Sequence, residues 1–361
     1  MSSHALEFIV PGDLQSATGG YVYDRAMIAG LRDLGWRVAV HGLDAGFPYP
    51  GTEAIAQAAR VFAELPDDAC VLVDGLALGA MPQVIEAHSR RLRVVALIHM
   101  PLASEFGIAP DVAERLRQQE LRSLELVRHV IVSSRSTERE LVASYRIERA
   151  LVTVVEPGVW KPKSLGGSRN RHVESADQGI VEMLCVASIQ PGKGHDLLIE
   201  ALASFADLRW RLRCIGSLSR SPETVRRLTG HLNRLGLGDQ VTLLGELPHD
   251  ALSVFYRAAD LFVLPTQRET YCLAVAEALV HGLPVVSTRT GAIPELVGDA
   301  AGLLIEPGDR EGLRAALERA LTDRALRTSM HVAALAAGER LVTWSQACER
   351  MARALDRVCG L

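Results

Sequence analysis

The fold is decided by residues 261–279, which read LFVLPTQRETYCLAVAEAL. Residues 261–264 form a strand-length apolar run that ends at Pro265, and a polar loop separates this run from a second apolar stretch. The second stretch has the length and composition of a helix, which we expect to begin near Tyr271 or Cys272. A buried strand that leads through a short loop into an apolar helix predicts one βα unit of a parallel sheet.

The same alternation extends over the whole chain. Further strand-like runs lie at 6–10, 37–41, 70–73, 94–98, 130–132, 152–155, 181–186, 211–215, 241–244, 284–287 and 302–305. Helical patterns lie at 21–34, 54–64, 111–128, 196–202, 223–235, 250–258, 310–321 and 343–358. Residues 161–179 are rich in Ser, Gly and charge and have no periodicity, which indicates a linker. We therefore predict an α/β protein of two doubly wound, Rossmann-like domains, residues 1–160 and 180–335.

Composition narrows the possible functions. A length of 361 residues exceeds the usual size of a single core and supports two domains. An aromatic content of 5% and a net charge of −4 argue against a nucleic-acid partner. No secretory signal is visible, and no apolar run approaches the ~20 residues of a membrane span. The six cysteines form no CxxC pair, so we expect reduced thiols and a cytoplasmic protein.

One acidic residue lies in the predicted loop and a second lies in the predicted helix that follows it. A helix N-terminus offers unpaired N–H groups and partial positive charge, which suits a diphosphate. Glu269 lies just before the helix, where it can face a sugar, and Glu277 lies two turns on, where it can reach the hydroxyls of a ribose. Taken alone, each could be an ordinary surface charge. Because Glu277 is surrounded in sequence by apolar residues, we expect it to have a partner.

The spacing Glu269-x7-Glu277 resembles the EX7E motif of retaining GT-B glycosyltransferases of family GT4, the glycosyl transferases group 1. Four further segments also resemble this family: 281–286 (HGLPVV), 291–297 (GAIPELV), 154–159 (VVEPGV) and 191–202 (PGKGHDLLIEAL). The resemblance covers nearly the whole chain and is strongest from Leu184 to Pro307. It rests on several ordered motifs, each of which alone would be weak.

This resemblance implies a GT-B fold in which residues 336–361 form a helix that packs back on the N-terminal, acceptor-binding domain. It implies a hexosyltransferase-type enzyme of class EC 2.4, which moves a sugar from a nucleotide-diphosphate sugar to an acceptor hydroxyl with retention of configuration. Neither a metal nor another cofactor is expected. The acceptor could be a lipid, a polysaccharide or a small metabolite. The mixed charge of helix 111–128 favours a solvated face over peripheral membrane contact.

The resemblance also implies roles for particular residues. Glu269 would lie beside the donor sugar, Lys193 would place an ammonium on the phosphates, and His99 would face the transferring sugar. These three are the expected catalytic residues. The expected donor-binding residues are Gly19, Gly20, Gly216, Tyr271, Cys272, Leu273 and Glu277.

Two departures from the family pattern bear on catalysis. The family usually has an arginine a few residues before the lysine, but residues 186–192 read VASIQPG. Arg220 or Arg268 could substitute for it. Position 272 is commonly glycine in the family, and the side chain of Cys272 could crowd the phosphates.

Two other functions stay open at this point. A nucleotide-sugar epimerase of the same fold would turn over the donor without an acceptor. A non-catalytic sugar-nucleotide-binding protein would bind the nucleotide and release none, and the departures at Ser188 and Cys272 keep this alternative open.

Overall fold

The computed structural model describes residues 4–161 and 179–360. The chain divides into two compact units: the first comprises Met1–Gly158 and Val342–Leu361, and the second comprises Val159–Leu341. The linker predicted at 161–179 lies almost entirely at 162–178, outside the described residues.

The first unit contains a six-stranded parallel sheet of order β2-β1-β3-β4-β5-β6. Its strands are β1 (Ala5–Pro11), β2 (Arg37–Leu43), β3 (Cys70–Asp74), β4 (Arg93–Ile98), β5 (His129–Val132) and β6 (Val152–Val154). The helices between them are α1 (Gly19–Asp33), α2 (Thr52–Glu64), α3 (Gly75–Leu78), α4 (Pro82–His88), α5 (Pro110–Leu124) and α6 (Arg135–Ser144).

The second unit repeats the design with sheet order β12-β11-β10-β7-β8-β9, again parallel. Its strands are β7 (Val181–Val186), β8 (Trp210–Ile215), β9 (Val241–Leu243), β10 (Leu261–Leu264), β11 (Val285–Thr288) and β12 (Gly302–Ile305). Its helices are α7 (His195–Ala203), α8 (Pro222–Leu235), α9 (His249–Ala258), α10 (Leu273–Val280), α11 (Ile293–Val297), α12 (Arg310–Thr322) and α13 (Arg324–Arg340). The α/β class with two doubly wound domains is thereby confirmed.

The central strands are buried on both faces, which explains why their sequences are apolar runs without alternation. Every residue of β3, β10 and β11 is buried. A parallel sheet covered by helices on both sides requires this composition, because no strand face meets water. The cores of the two units are therefore the apolar runs of the sequence.

The last helix, α14 (Trp344–Cys359), belongs to the first unit and packs along α1. Thr343 begins it with a capping box, in which the Thr343 hydroxyl accepts from the amide of Gln346 and the Gln346 side-chain oxygen accepts from the amide of Thr343. Ala347, Met351 and Leu355 are buried on its inner face. This amphipathic stripe returns the C-terminal end of the chain to the first unit.

A disulfide joins Cys70, the first residue of β3, to Cys359, the last residue of α14. The expectation that all six cysteines are reduced is wrong for this pair. Their Cα atoms lie 5.7 Å apart although 289 residues separate them in sequence. No local spacing could indicate a pair that only the tertiary fold brings together.

Among the described residues, none of the helices combines the length and the apolar composition that crossing a lipid bilayer requires.

Candidate functional site

The βα unit formed by β10 and α10 supplies the first part of the site. The strand ends at Leu264, and α10 begins at Leu273 directly after Cys272. Cys272 has φ 74° and ψ 74°, a left-handed conformation that favours glycine. Burial raises the pKa of the Cys272 thiol well above its ordinary value, so this group at the helix start is uncharged.

Lys193 and Glu269 form an ion pair in the second unit. Lys193 Nζ donates to Glu269 Oε1 at 2.7 Å, and both side chains are mostly buried. Burial lowers the pKa of Lys193, but the adjacent Glu269 carboxylate outweighs burial and leaves this pKa raised. The lysine therefore carries a permanent positive charge beside the N-terminus of α10. The structure brings together two residues that the sequence predicts as catalytic.

Direct backbone contacts hold these two loops together. The amide of Gln267 donates to the carbonyl of Gly192 at 2.7 Å, and the Thr266 hydroxyl donates to the same carbonyl at 3.1 Å. Gly194 has φ 78°, and a Cβ there would lie 2.0 Å from the carbonyl oxygen of Pro265. Only glycine permits this approach, so the loop that carries Lys193 is fixed against the loop that carries Glu269.

Glu277 is buried on α10 and has partners, as the sequence predicts. Burial raises its pKa to about 7, while the nearby Tyr256 hydroxyl, which donates to the carbonyl of Ala274 at 3.2 Å, acts in the opposite direction. His249 Nδ1 lies 3.7 Å from Glu277 Oε1, and the His249 ring contacts the Trp160 ring with centroids 4.3 Å apart. The sequence analysis missed Tyr256 and His249. Tyr256 is the one buried residue of the amphipathic helix α9. Its place on the apolar face of this predicted helix was the signal that the sequence offered.

The other predicted donor-binding residues of this unit lie at strand or helix ends. Gly216 follows β8, and a Cβ on it would lie 2.2 Å from the carbonyl oxygen of Ala187. Close packing of two loops therefore accounts for glycine at this position, and its predicted donor contact stays a prediction. Tyr271 and Leu273 flank Cys272; Tyr271 is buried and Leu273 is half-buried.

The two arginines considered as substitutes lie in different surroundings. Arg268 is half-buried in the loop that carries Glu269, whereas Arg220 is exposed in the loop after β8. Proximity to Glu269 therefore makes Arg268 the better candidate.

The first unit holds a second polar cluster, at the end of β4. His99 Nε2 lies 3.0 Å from Asp24 Oδ1 and 3.6 Å from Asp74 Oδ2. Gly20, the second residue of α1, adjoins this histidine, since a Cβ on it would lie 3.3 Å from His99 Cδ2. Gly19 begins the same helix. The structure thus brings together the three site residues predicted in the first unit.

The charged groups of this cluster shift one another's pKa values. Burial lowers the pKa of His99, but Asp24 and then Asp74 outweigh burial and leave this pKa raised. Burial and the neighbouring Asp24 raise the pKa of Asp74 to about 7. Asp24 Oδ2 is buried without a hydrogen-bond partner among the described residues. The sequence analysis missed both aspartates, although Asp74 follows a predicted strand directly.

Glu120 supports the segment that follows His99. It lies on α5 and is fully buried, where it accepts hydrogen bonds from the amide of Leu102 at 3.0 Å and from the Tyr145 hydroxyl at 2.7 Å. Burial raises the pKa of Glu120 to about 7. This carboxyl therefore anchors the turn after His99 from beneath.

Two groups of described residues have donor atoms close enough to share a metal ion. In each, the three ligand atoms lie within 4.8 Å of one another, and the groups are Asp24, Asp74 and His99, and Cys185, His195 and Cys214. The expectation of a reaction without metal or other cofactor stays a prediction.

Fold and sites together define a class: a protein of two Rossmann-like units, one with a lysine–carboxylate pair and the other with a histidine–dicarboxylate cluster at strand ends. The family model described as glycosyl transferases group 1 matches residues 168–335. This match and the relatives and structures described below support a GT-B glycosyltransferase, as the resemblance stated from the sequence implies.

Curated proteins similar to this chain are named as glycosyltransferases. The D-inositol 3-phosphate glycosyltransferase of Mycolicibacterium smegmatis is 31% identical over 237 residues, which are 64% of this chain and 52% of that protein. The enzyme of the same name from Thermobispora bispora is 30% identical over 268 residues, 70% of this chain and 62% of that protein. The chain thus spans 52% of the length of the first relative and 62% of the length of the second.

Solved structures share the fold over the full length. Sucrose-phosphate synthase from Thermosynechococcus elongatus superposes with a TM-score of 0.82 at 21% identity, over 99% of both chains. Anabaena Alr3699/HepE in complex with UDP and glucose superposes with a TM-score of 0.73 at 19% identity, over 97% of this chain and 99% of that one. These likenesses show the GT-B fold.

Proposed function

We propose that this chain transfers a sugar from a nucleotide-diphosphate sugar to an acceptor hydroxyl, with retention of anomeric configuration. The observation that carries the proposal is the ion pair of Lys193 and Glu269 beside the N-terminus of α10. The names of its relatives support glycosyl transfer, and a complex of a structural neighbour with UDP and glucose supports a nucleotide-sugar donor.

The permanent charge of Lys193 suits the departure of the diphosphate. As the bond between sugar and phosphate breaks, negative charge grows on the phosphate oxygens, and a fixed ammonium stabilises that charge. Its pair with Glu269 holds the ammonium in place before the donor arrives, so little reorganisation is needed. In this proposal Lys193 supplies the positive charge that a metal ion supplies in other transferases, and no cofactor is needed.

Glu269 and Glu277 suit the two sugars of the donor. Glu269 accepts hydrogen bonds from hydroxyls of the transferred sugar near the reacting carbon. Glu277 accepts them from the ribose, and these bonds favour the ionised form of a carboxyl whose pKa burial has raised to about 7. Donor binding should therefore release part of a proton near neutral pH.

His99 supplies the proposed contact of the first unit with the transferring sugar. Asp24 and Asp74 keep its imidazole protonated, so its free N–H can donate to a sugar hydroxyl. The acceptor is a lipid, a polysaccharide or a small metabolite with a free hydroxyl, and we place the reaction in the cytoplasm.

The first experiment is thermal unfolding of the wild type and of Glu277→Gln with UDP, GDP, ADP and TDP. A ligand at about 100 times its dissociation constant adds about 2.7 kcal/mol to the free energy of unfolding. We expect one nucleotide to stabilise the wild type and to stabilise Glu277→Gln far less. If no nucleotide acts at millimolar concentration, the donor site is wrong.

A second assay separates transfer from its two alternatives. The wild type is incubated with the matching nucleotide sugar, with and without candidate acceptors, and nucleoside diphosphate and sugar products are measured. Nucleotide release that depends on the acceptor supports the proposal. Conversion of the donor without an acceptor indicates an epimerase, and binding without release indicates a non-catalytic protein.

A further inference from the structure

The first unit contains an open cavity of about 940 Å³ away from the residues assigned to sugar transfer. It lies where β5 and β6 begin, and its wall includes His129, the first residue of β5, and Thr153 of β6. His99 follows the last residue of β4, and these strands are parallel. The cavity therefore lies at the N-terminal ends of the strands, and the His99 cluster lies at the C-terminal ends of the same sheet.

Three arginines from three separate segments line this cavity. Arg90 precedes β4, Arg128 precedes β5, and Arg357 lies in the last turn of α14. Across residues 4–161 and 179–360, their guanidinium groups have no hydrogen bond or ion pair. Glu125 is the one carboxylate in the wall, so three cations against one anion leave two unbalanced positive charges.

The lining of the cavity also includes uncharged polar side chains. His129 Nε2 and Thr153 Oγ1 share a hydrogen bond of 2.7 Å. Burial lowers the pKa of His129, and the nearby Arg357 lowers it further. The histidine is therefore neutral at pH 7, and neutral side chains that can exchange hydrogen bonds lie beneath the arginines.

The backbone segments that carry Arg128 and Arg357 are fixed within the first unit. Arg357 is two residues from Cys359, which the disulfide joins to Cys70 and whose carbonyl accepts a hydrogen bond from the Arg93 guanidinium. The backbone amide of Arg128 donates to the carbonyl of Val94 at 2.8 Å. All three arginine side chains are exposed, so an anion in solution can reach them, and like charges that line one cavity favour a bound anion.

We propose that this cavity is a binding site for phosphate groups, separate from the donor site. Its guanidinium groups match the planar, bidentate geometry that phosphate oxygens accept. Its volume admits a ligand larger than inorganic phosphate, such as a phosphorylated metabolite or the headgroup of an anionic lipid. Both sources present the same chemistry, a phosphate with two or more anionic oxygens.

The test is isothermal titration calorimetry with inorganic tripolyphosphate at about 0.15 M ionic strength, where weak surface attraction is screened. Four proteins are compared: the wild type, Arg128→Ser/Arg357→Ser, a control Arg226→Ser/Arg319→Ser, and Lys193→Ala. The control removes two exposed arginines of the second unit, and so the same charge. Lys193→Ala separates this site from the proposed donor site.

We expect the wild type and Lys193→Ala to bind tripolyphosphate in the cavity, and the control to bind equally well. In Arg128→Ser/Arg357→Ser the affinity should fall by at least about tenfold, because two charge-assisted contacts are lost. Equal binding by this variant and the control overturns the proposal, as does a wild type whose only phosphate binding disappears with Lys193→Ala.

A second arm identifies the source of the phosphate. Wild type and both double variants are sedimented with phosphatidylcholine vesicles that contain phosphatidic acid. Sedimentation that fails only in Arg128→Ser/Arg357→Ser identifies a lipid headgroup. Tripolyphosphate binding without sedimentation identifies a free phosphorylated molecule. If neither probe distinguishes the cavity variant from the control, the site does not exist.

Discussion

Each unit has a cluster of charged side chains near the C-terminal end of a strand, but the balance of charge differs between the two units. In the second unit, one lysine meets one carboxylate, Glu269, and the pair is electrically balanced. In the first unit, one imidazole meets two carboxylates, Asp24 and Asp74, and the cluster has an excess of acid. Because its pKa is raised, Lys193 keeps its positive charge well above neutral pH. The first-unit cluster holds a proton near neutrality, since the pKa of His99 is raised and that of Asp74 is about 7. We infer that the second unit supplies fixed charge and the first a titratable group.

The largest expected effect is on the balanced pair. Replacing Lys193 with Met removes the fixed charge from the diphosphate, and kcat should fall about 10²–10³-fold. Lys193→Arg should recover part of this loss, since the charge returns with a different shape. Lys161→Met is the matched control, because Lys161 donates to the Glu339 carbonyl instead. Equal rates for Lys193→Met and this control would contradict the proposed role.

The histidine cluster should give a smaller loss and a changed pH profile. Asp24→Asn keeps the shape but removes the charge that outweighs burial of His99, so the pKa of His99 should fall. We expect kcat to fall about tenfold at pH 7, because the charged hydrogen bond from His99 to the sugar, worth about 1.5 kcal/mol, is weakened, and to recover partly at lower pH where His99 is protonated again. A pH–rate profile identical to that of the wild type would refute the assignment.

The third prediction concerns stability and the buried Glu120. Its pKa rises from an ordinary 4.5 to about 7 in the folded chain. Its contribution to stability is therefore fully present below pH 4.5 and is lost as pH rises toward 7. Glu120→Gln should remove this pH dependence of the free energy of unfolding, which amounts to about 3 kcal/mol at most.

The measurement for Glu120→Gln is the unfolding midpoint between pH 4.5 and 8, compared with the wild type. Glu114→Gln is the control, because Glu114 lies on the same helix but is exposed. A wild-type slope that persists in Glu120→Gln would show that another group titrates.

The smallest effect is expected at Cys272. Cys272→Gly relieves the left-handed backbone but loses a buried thiol, so the free energy of unfolding should rise by about 0.5 kcal/mol or less. Cys272→Ala keeps the unfavourable conformation and loses the sulfur, so it should be less stable than the wild type. Urea unfolding of the three proteins decides this, and a glycine variant less stable than the alanine variant would exclude backbone strain.

The strands could be predicted because of their burial. All twelve strands of the described residues overlap predicted runs. The central strands β3, β10 and β11 are buried throughout and so read as consecutive apolar residues, whereas the edge strand β2 is mostly exposed. Helix α13 was not identified. Its buried residues are Met330, Ala334, Ala337 and Gly338, mostly small side chains that give no strong apolar stripe. The predicted domain end at 335 falls inside this helix.

The site could be predicted only where its residues lie in one motif. Glu269, Cys272 and Glu277 belong to one βα unit, and the loop of Lys193 carries its own family-like pattern. Asp24, Asp74 and Tyr256 come from other elements and gain their roles only through tertiary contact. Their polar side chains in apolar surroundings were a signal, but nothing local indicated their partners.

The disulfide between Cys70 and Cys359 turns most of the linear chain into a closed covalent ring. The second unit, Val159–Leu341, is an insertion within the first, and the disulfide closes a covalent ring that includes all of it. A single cut anywhere in that ring leaves one molecule of unchanged mass, apart from an added water. The fragments separate on a gel only after reduction, so a protease nick would be invisible under oxidising conditions and evident under reducing ones.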